Sequence, residues 1–221
     1  MEDGMSSVAG VGGGLERVRG LVREYASAPP ALRVGDDEPE QALIRCLLYF
    51  LIPVWNAAGV LDWWWHKRSD IEHTAGLEES LIHLLMFAEA GVPLYMGLLL
   101  EINSGVLLTM LGAVGVHQAT AVWDVHFAED RREVTEWEQH THSFLEVLPF
   151  AAVAMACCLH WDQAKALFGA GESKADFKLR LKRKRLPLAY LLGVTAMMVV
   201  GVALPYGNEL WRCFKARRLA A

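Results

Sequence analysis

Five apolar stretches dominate this chain, and short polar segments separate them. They run from about Gln41 to Trp65, Leu77 to Leu100, Gly105 to Phe127, Ser143 to Phe168 and Leu186 to Pro205. A helix rises about 1.5 Å per residue, so roughly 20 apolar residues cross the hydrocarbon of a bilayer. The pattern predicts an all-α fold: a multi-span transmembrane helical bundle of about five membrane helices. Pro93 predicts a kink in the second helix, and Pro149 falls near the start of the fourth. Trp63, Trp64 and Trp65 end the first stretch, while Tyr206 and Trp211 follow the fifth. All five are expected at the membrane–water interface, where aromatic side chains concentrate.

The polar positions are not scattered. Asp62 and His66, and likewise Glu79 and His83, are four apart and share a helix face. Glu138, His142 and Glu146 continue that spacing over two turns, and His117 and Asp124 are seven apart, nearly two turns. Short connections make successive helices antiparallel. The end of helix one, the start of two, the end of three and the start of four then lie on one membrane face. All these residues gather there. Ionisable groups beside hydrocarbon need a partner or a function, and mixed imidazole and carboxylate groups are a transition-metal ligand set. His73 extends the first face and Glu72 the second, although Thr74-Ala75-Gly76 marks a break between them. The expected metal ligands are therefore Asp62, His66, Glu72, His73, Glu79, His83, His117, Asp124, Glu138, His142 and Glu146. A polar network without metal is the structural alternative, but it must satisfy many buried groups with no cation.

Other polar residues read differently. Glu89 lies deep in the second stretch, and His126 and His140 fall off the ligand faces. These three are candidates for a proton route or catalytic support. Asp130, Arg131, Arg132, Glu133 and Glu136 read as a solvated loop, and His160 and Asp162 as interfacial groups at the opposite membrane face. The four cysteines show no metal spacing and read as small buried hydrophobes.

Composition agrees with a membrane protein whose charges are segregated. Of 221 residues 53% are hydrophobic and 21% charged, with mean hydropathy +0.23. The net charge of −5 conceals a basic run, Lys178 to Arg185. Between two apolar stretches that run fits a loop facing anionic lipid rather than nucleic acid. The expected organisation is a polar tail over 1–40, a four-helix metal-binding bundle over 41–168, a basic loop over 169–185, and a fifth membrane helix with a basic tail over 186–221. Residues 15–25 of the tail fit either a short amphipathic surface helix or a solvated segment. The tail lacks the apolar core of a cleavable signal, so the first span is expected to act as an uncleaved anchor. Eight Lys/Arg residues over 165–185 place that loop in the cytoplasm and the ligand end on the other side. Arg212, Lys215, Arg217 and Arg218 pull the opposite way.

Four histidines and five carboxylates exceed what a single zinc ion requires. Over about residues 55–150 the chain resembles, in style, the histidine-rich integral-membrane di-iron hydroxylases and desaturases. Those families carry HxxxH and HxxHH boxes. Here Asp62-x-x-x-His66, Glu79-x-x-x-His83 and His140-x-His142 stand in their place. The resemblance implies two iron ions, dioxygen activation, oxidation of an apolar, lipid-like substrate delivered by the bilayer, and an external electron donor. The alternatives are a zinc-dependent membrane hydrolase of lipid amides or esters, and a metal-binding transporter or accessory protein.

Overall fold

The computed structural model describes residues 39–220. The tail helix considered for residues 15–25 lies outside them. Six helices order the described residues: α1 (Pro39–Arg68), α2 (Gly76–Leu99), α3 (Ser104–Glu129), α4 (Glu136–Leu159), α5 (Trp161–Leu167) and α6 (Leu188–Ala220). There is no strand among them; Leu100 and Leu181 form an isolated antiparallel bridge. All but α5 are long and apolar enough to cross a membrane, as a multi-pass membrane protein requires. Their outer faces carry exposed Leu84, Val92, Val122, Val147, Phe150, Leu192 and Val200, the side chains that lipid would cover.

Contacts link α2 to α3, α3 to α4, α1 to α4, and α6 to both α1 and α2. Two helix starts have clear local causes. The Asn103 side chain accepts from the Val106 N–H at 3.1 Å, and Thr135 accepts from the Glu138 N–H at 3.3 Å. The second cap sets the start of α4 at Glu136 rather than near Ser143, which brings Glu138 and His142 onto the helix. Helix α2 continues unbroken through Pro93.

The sixth helix departs most from the expectation. It does not stop near Pro205 but runs on to Ala220. Its buried positions are Tyr190, Val194, Gly201, Tyr206, Glu209 and Cys213. The five-residue step from Gly201 to Tyr206 is too long for one α-turn, and residues 199–203 form a π-turn. A second π-turn covers Leu47–Leu51 of α1. Each ends two residues before a proline, Pro53 or Pro205. Proline lacks an N–H and its ring crowds the carbonyl four residues earlier, so widening the preceding turn relieves both conflicts. In α6 the extra residue rotates everything beyond it, and Tyr206 and Glu209 turn into the bundle. Tyr206 is therefore buried, not an interfacial anchor. Where α6 crosses α1, Gly201 faces Asn56, and a Cβ there would stand 2.3 Å from Asn56 Oδ1. A side chain at 201 would force the Asn56 amide aside.

At the far end the basic segment is strapped to the α2–α3 turn. The Glu101 N–H donates to the Arg180 carbonyl at 2.8 Å, Lys182 N–H to Leu99 at 2.9 Å, and Gly105 N–H to Asp176 at 2.9 Å. Half-burial lowers the Lys182 pKa, and Glu101 partly opposes that shift. Hydrophobic packing continues beneath, around Val106, Leu107, Met110, Val153 and Ala156.

Candidate metal centre

At the opposite end α1, α2, α3, α4 and α6 all contribute ionisable side chains to one buried cluster. Asp62 and His66 come from the end of α1, Glu79 and His83 from the start of α2, and Asp124 from the end of α3. Glu138 and His142 come from the start of α4. All seven are buried, with His66 and Glu79 fully shielded.

Glu209 of α6 organises the histidines. His66 Nδ1 lies 3.1 Å from one of its oxygens and His83 Nδ1 2.8 Å from the other. An ionised carboxylate only accepts hydrogen bonds, so each Nδ1 carries the proton and donates. The two imidazoles stack nearly parallel, with centroids 4.3 Å apart and planes 7° apart. Each presents its Nε2 to the remaining carboxylates. His66 Nε2 is 3.5 Å from Asp62 Oδ2 and 3.5 Å from Glu138 Oε1. His83 Nε2 is 3.4 Å from Asp124 Oδ1 and 3.9 Å from Glu79 Oε1. His142 Nε2 is 2.8 Å from Asp62 Oδ1, although the pair is not aligned as a hydrogen bond.

These atoms fit a cation on two counts. Two donors that each hold one ion at about 2.0–2.2 Å stand about 3–4 Å apart, and the observed separations fall close to that range. Ligand atoms of Asp62, His66 and His142 lie within 4.8 Å of one another, as do those of His66, Glu79 and His83. Secondly, His66 Nε2, His83 Nε2, Asp62 Oδ1 and Asp124 Oδ1 are buried without a hydrogen-bond partner. Orphaned polar atoms in an apolar bundle are costly. Cations held between these side chains would supply the missing partners. The carboxylate on the far nitrogen of each histidine is the usual support of a metal-binding imidazole.

Arg132 changes the reading of the α3–α4 loop. It is 8% exposed, not solvated. Its guanidinium forks between two carboxylates, donating to Glu79 at 2.6 and 3.2 Å and to Glu138 at 2.5 and 3.0 Å. Burial opposes its charge, but the hydrogen bonds and charges of Glu138 and Glu79 prevail and raise its pKa above the ordinary arginine value. Asp62, Glu79, Asp124, Glu138 and Glu209 place five carboxylates in the cluster against this one permanent cation. Four carboxylate charges are left for the imidazoles or a bound cation to balance. Tyr206 completes the wall, its hydroxyl 2.8 Å from Asp62 Oδ2 and 3.0 Å from the Gly59 carbonyl.

The remaining sequence candidates lie elsewhere. His117 is buried one step deeper, with Nδ1 3.5 Å from Glu89 Oε2, and Thr120 donates to the other Glu89 oxygen at 2.8 Å. Glu146 is half-buried at the edge of a small cavity that Asp62, His83, Asp124 and His142 also line. Glu72 pairs with Arg212. His73 is exposed and pairs with Asp70 at 2.9 Å. His126 and His140 are exposed, the latter edge-on to Phe144 at 5.4 Å between ring centroids. None of these last four joins the cluster. The cysteines contribute nothing to it: all four are free thiols, and only Cys213 is buried.

Glu209, Tyr206 and Arg132 are the residues that sequence reasoning missed. The steps of three and four from Tyr206 to Glu209 to Cys213 form a legible helical stripe, but only if α6 is carried past Pro205. Arg132 offers no periodic signal, because it reaches the site from a loop. No family model, curated protein or solved structure matches this chain.

Proposed function

We propose that this protein is an integral-membrane metalloenzyme, a non-haem di-iron oxidoreductase of the hydroxylase or desaturase type acting on a lipid-like substrate. The observation that carries the reading is the pair of stacked histidines, both fixed through Nδ1 by Glu209 and both presenting Nε2 to separate carboxylates. His66 with Asp62, Glu138 and His142 forms one half-site; His83 with Glu79 and Asp124 forms the other. Two divalent ions balance the four uncompensated negative charges. Mixed imidazole and carboxylate donors suit iron or manganese. Two redox-active ions, when bound, would supply the activation of dioxygen, which is the oxidant of the C–H bond. The chain's own residues hold the ions, fix the imidazole tautomers and exclude water. Electrons come from an external donor, and the basic 169–185 loop faces the cytoplasm.

A second reading has its own observation. Arg132 occupies oxygens of both Glu79 and Glu138. If it stays there, His66, His83, His142, Asp62 and Asp124 remain for a single ion. One zinc, with water as the nucleophile, makes a hydrolase of lipid amides or esters.

Metal analysis of protein purified from iron-replete cells separates the two. The di-iron reading expects two irons per chain and dioxygen consumption with a chemical reductant and a lipid extract. One zinc per chain, no oxygen uptake and release of fatty acid would install the hydrolase. Reversible metal loading with neither activity would leave a carrier.

A further inference from the structure

A long apolar cavity of about 150 Å³ lies between α1, α2, α3 and α4, next to the metal cluster but deeper in the bundle. Trp55 and His117 line both this cavity and the small one beside Asp62, His83 and His142, so the two voids adjoin. Along α2 the cavity extends from Glu89 to Leu98, nine residues or about 13 Å of helix. Its lining is apolar except at the end nearest the cluster, where Glu89 and His117 stand. Glu89 Oε2 and both ring nitrogens of His117 are buried without hydrogen-bond partners. A void that is apolar along its length and polar only at one end is built for an amphiphile.

We propose that this cavity binds one unbranched alkyl chain bearing a neutral hydroxyl at its end, with the hydroxyl seated between Glu89 and His117. The occupant follows from the unsatisfied atoms. Glu89 Oε1 already accepts from Thr120, and Oε2 needs a donor. His117 has one nitrogen to donate and one to accept. A hydroxyl both donates and accepts, so it serves both residues at their 3.5 Å separation. A carboxylate end offers no donor and adds a charge beside Glu89. An alkane end leaves the polar atoms unpaired, which a site of this kind penalises. The apolar run of about 13 Å along α2 suits an extended alkyl chain. The tail points away from the cluster, and the carbons nearest the hydroxyl lie at the Trp55–His117 junction. This deepens the proposed lipid chemistry: the reacting carbon is close to the head of a long-chain alcohol, not at its tail.

The test uses the full chain as purified, in nanodiscs and without reductant, with tritiated 1-decanol as the probe. Metal content of the same variants is measured separately, so failure of this site and failure of the metal reading are distinguishable. One saturable site per chain is expected, with decanoate at pH 8 and decane each competing at least tenfold more weakly than unlabelled decanol. Ala152→Phe fills the cavity from α4 and Ala113→Phe from α3; either, once shown to melt as a folded protein, abolishes binding. Glu89→Gln, whose amide donates where the carboxylate only accepts, narrows the preference over decanoate to threefold or less. Absence of saturable binding, equal competition by the three probes, or full binding in a folded cavity-filled variant would each overturn the proposal.

Discussion

Among the described residues three groups of acids and histidines bring three ligand atoms within 4.8 Å of one another; two share His66 and form one cluster, the third stands apart, and the two places differ in every other respect. One, around His66, is buried and leaves Nε2 atoms and carboxylate oxygens unpartnered. The other, Asp70, Glu72 and His73, sits in the α1–α2 turn. There His73 and Asp70 are exposed, and Glu72 pairs with Arg212. Proximity is common to both, so proximity does not mark a metal site. The distinguishing features are the cost of leaving donors bare in a low-dielectric setting and the presence of Glu209 behind the imidazoles. In the turn, His73 pairs with Asp70 and Glu72 with Arg212, and Asp70 and His73 stand open to solvent.

The largest test of that contrast is His66→Ala. His66 belongs to both buried ligand groups, so its loss damages each. Metal content measured by mass spectrometry is expected to fall below about a tenth of the wild-type value, since first contacts to both positions go. His160→Ala, far along α4 from the cluster, is expected to leave metal content unchanged. The reverse pattern would place the centre at the wrong end of the bundle.

Arg132→Ala comes next. It leaves Glu79 and Glu138 buried without their cation, and breaking such a pair costs about 3–5 kcal/mol. The apo protein should melt at a markedly lower temperature. If the cluster is a cation site, manganese or zinc recovers part of the loss, because the freed oxygens face the histidines. A melting temperature indifferent to metal would mean that Arg132 is the only cation the cluster accommodates.

Glu209→Gln is a smaller and more specific change. A carboxamide accepts on one side and donates on the other, so only one of His66 and His83 keeps its acceptor. The other imidazole must shift its proton to Nε2 and stops being a ligand. Loss of such a supporting contact typically weakens metal affinity about 10–100-fold. The fold and near-normal melting of the apo protein are expected to persist. Unchanged affinity would detach Glu209 from the site.

The reach of the sequence follows from the same physics. Spans are set by bulk hydropathy, and all five were legible. The convergence of Asp62, His66, Glu79, His83, Asp124, Glu138 and His142 also followed, because helix period and antiparallel topology are local rules. Glu209 and Tyr206 escaped because the apolar stretch ends near Pro205, whereas α6 continues through a π-turn that turns both residues into the bundle. Arg132 escaped because a loop residue has no period, and only the buried carboxylates it meets give it a role. His73 was drawn into the ligand set by spacing alone. The turn at Asp70, whose backbone is left-handed at φ 56°, takes it off the helix and into solvent.

The smallest expected effect concerns that exposed turn. His73→Ala should leave metal content unchanged and move the melting temperature by no more than an exposed, salt-screened pair does, since its side chain is exposed and hydrogen-bonds Asp70. Its titration is still informative. The hydrogen bond from His73 to Asp70, with the charges of Asp70 and Glu72, raises its pKa above the ordinary 6.5. A histidine whose folded pKa is raised contributes stability that is fully present below the unfolded value and lost as pH rises through the folded one. The contribution therefore fades above pH 6.5, and at a solvent-exposed pair it is screened by salt. Imidazole NMR should find a His73 midpoint above 6.5 that Asp70→Asn returns to the ordinary range. Adding zinc should leave the His73 signals in place while those of His66 and His83 shift. A His73 resonance that moves first on metal addition would reverse the ranking of the two clusters.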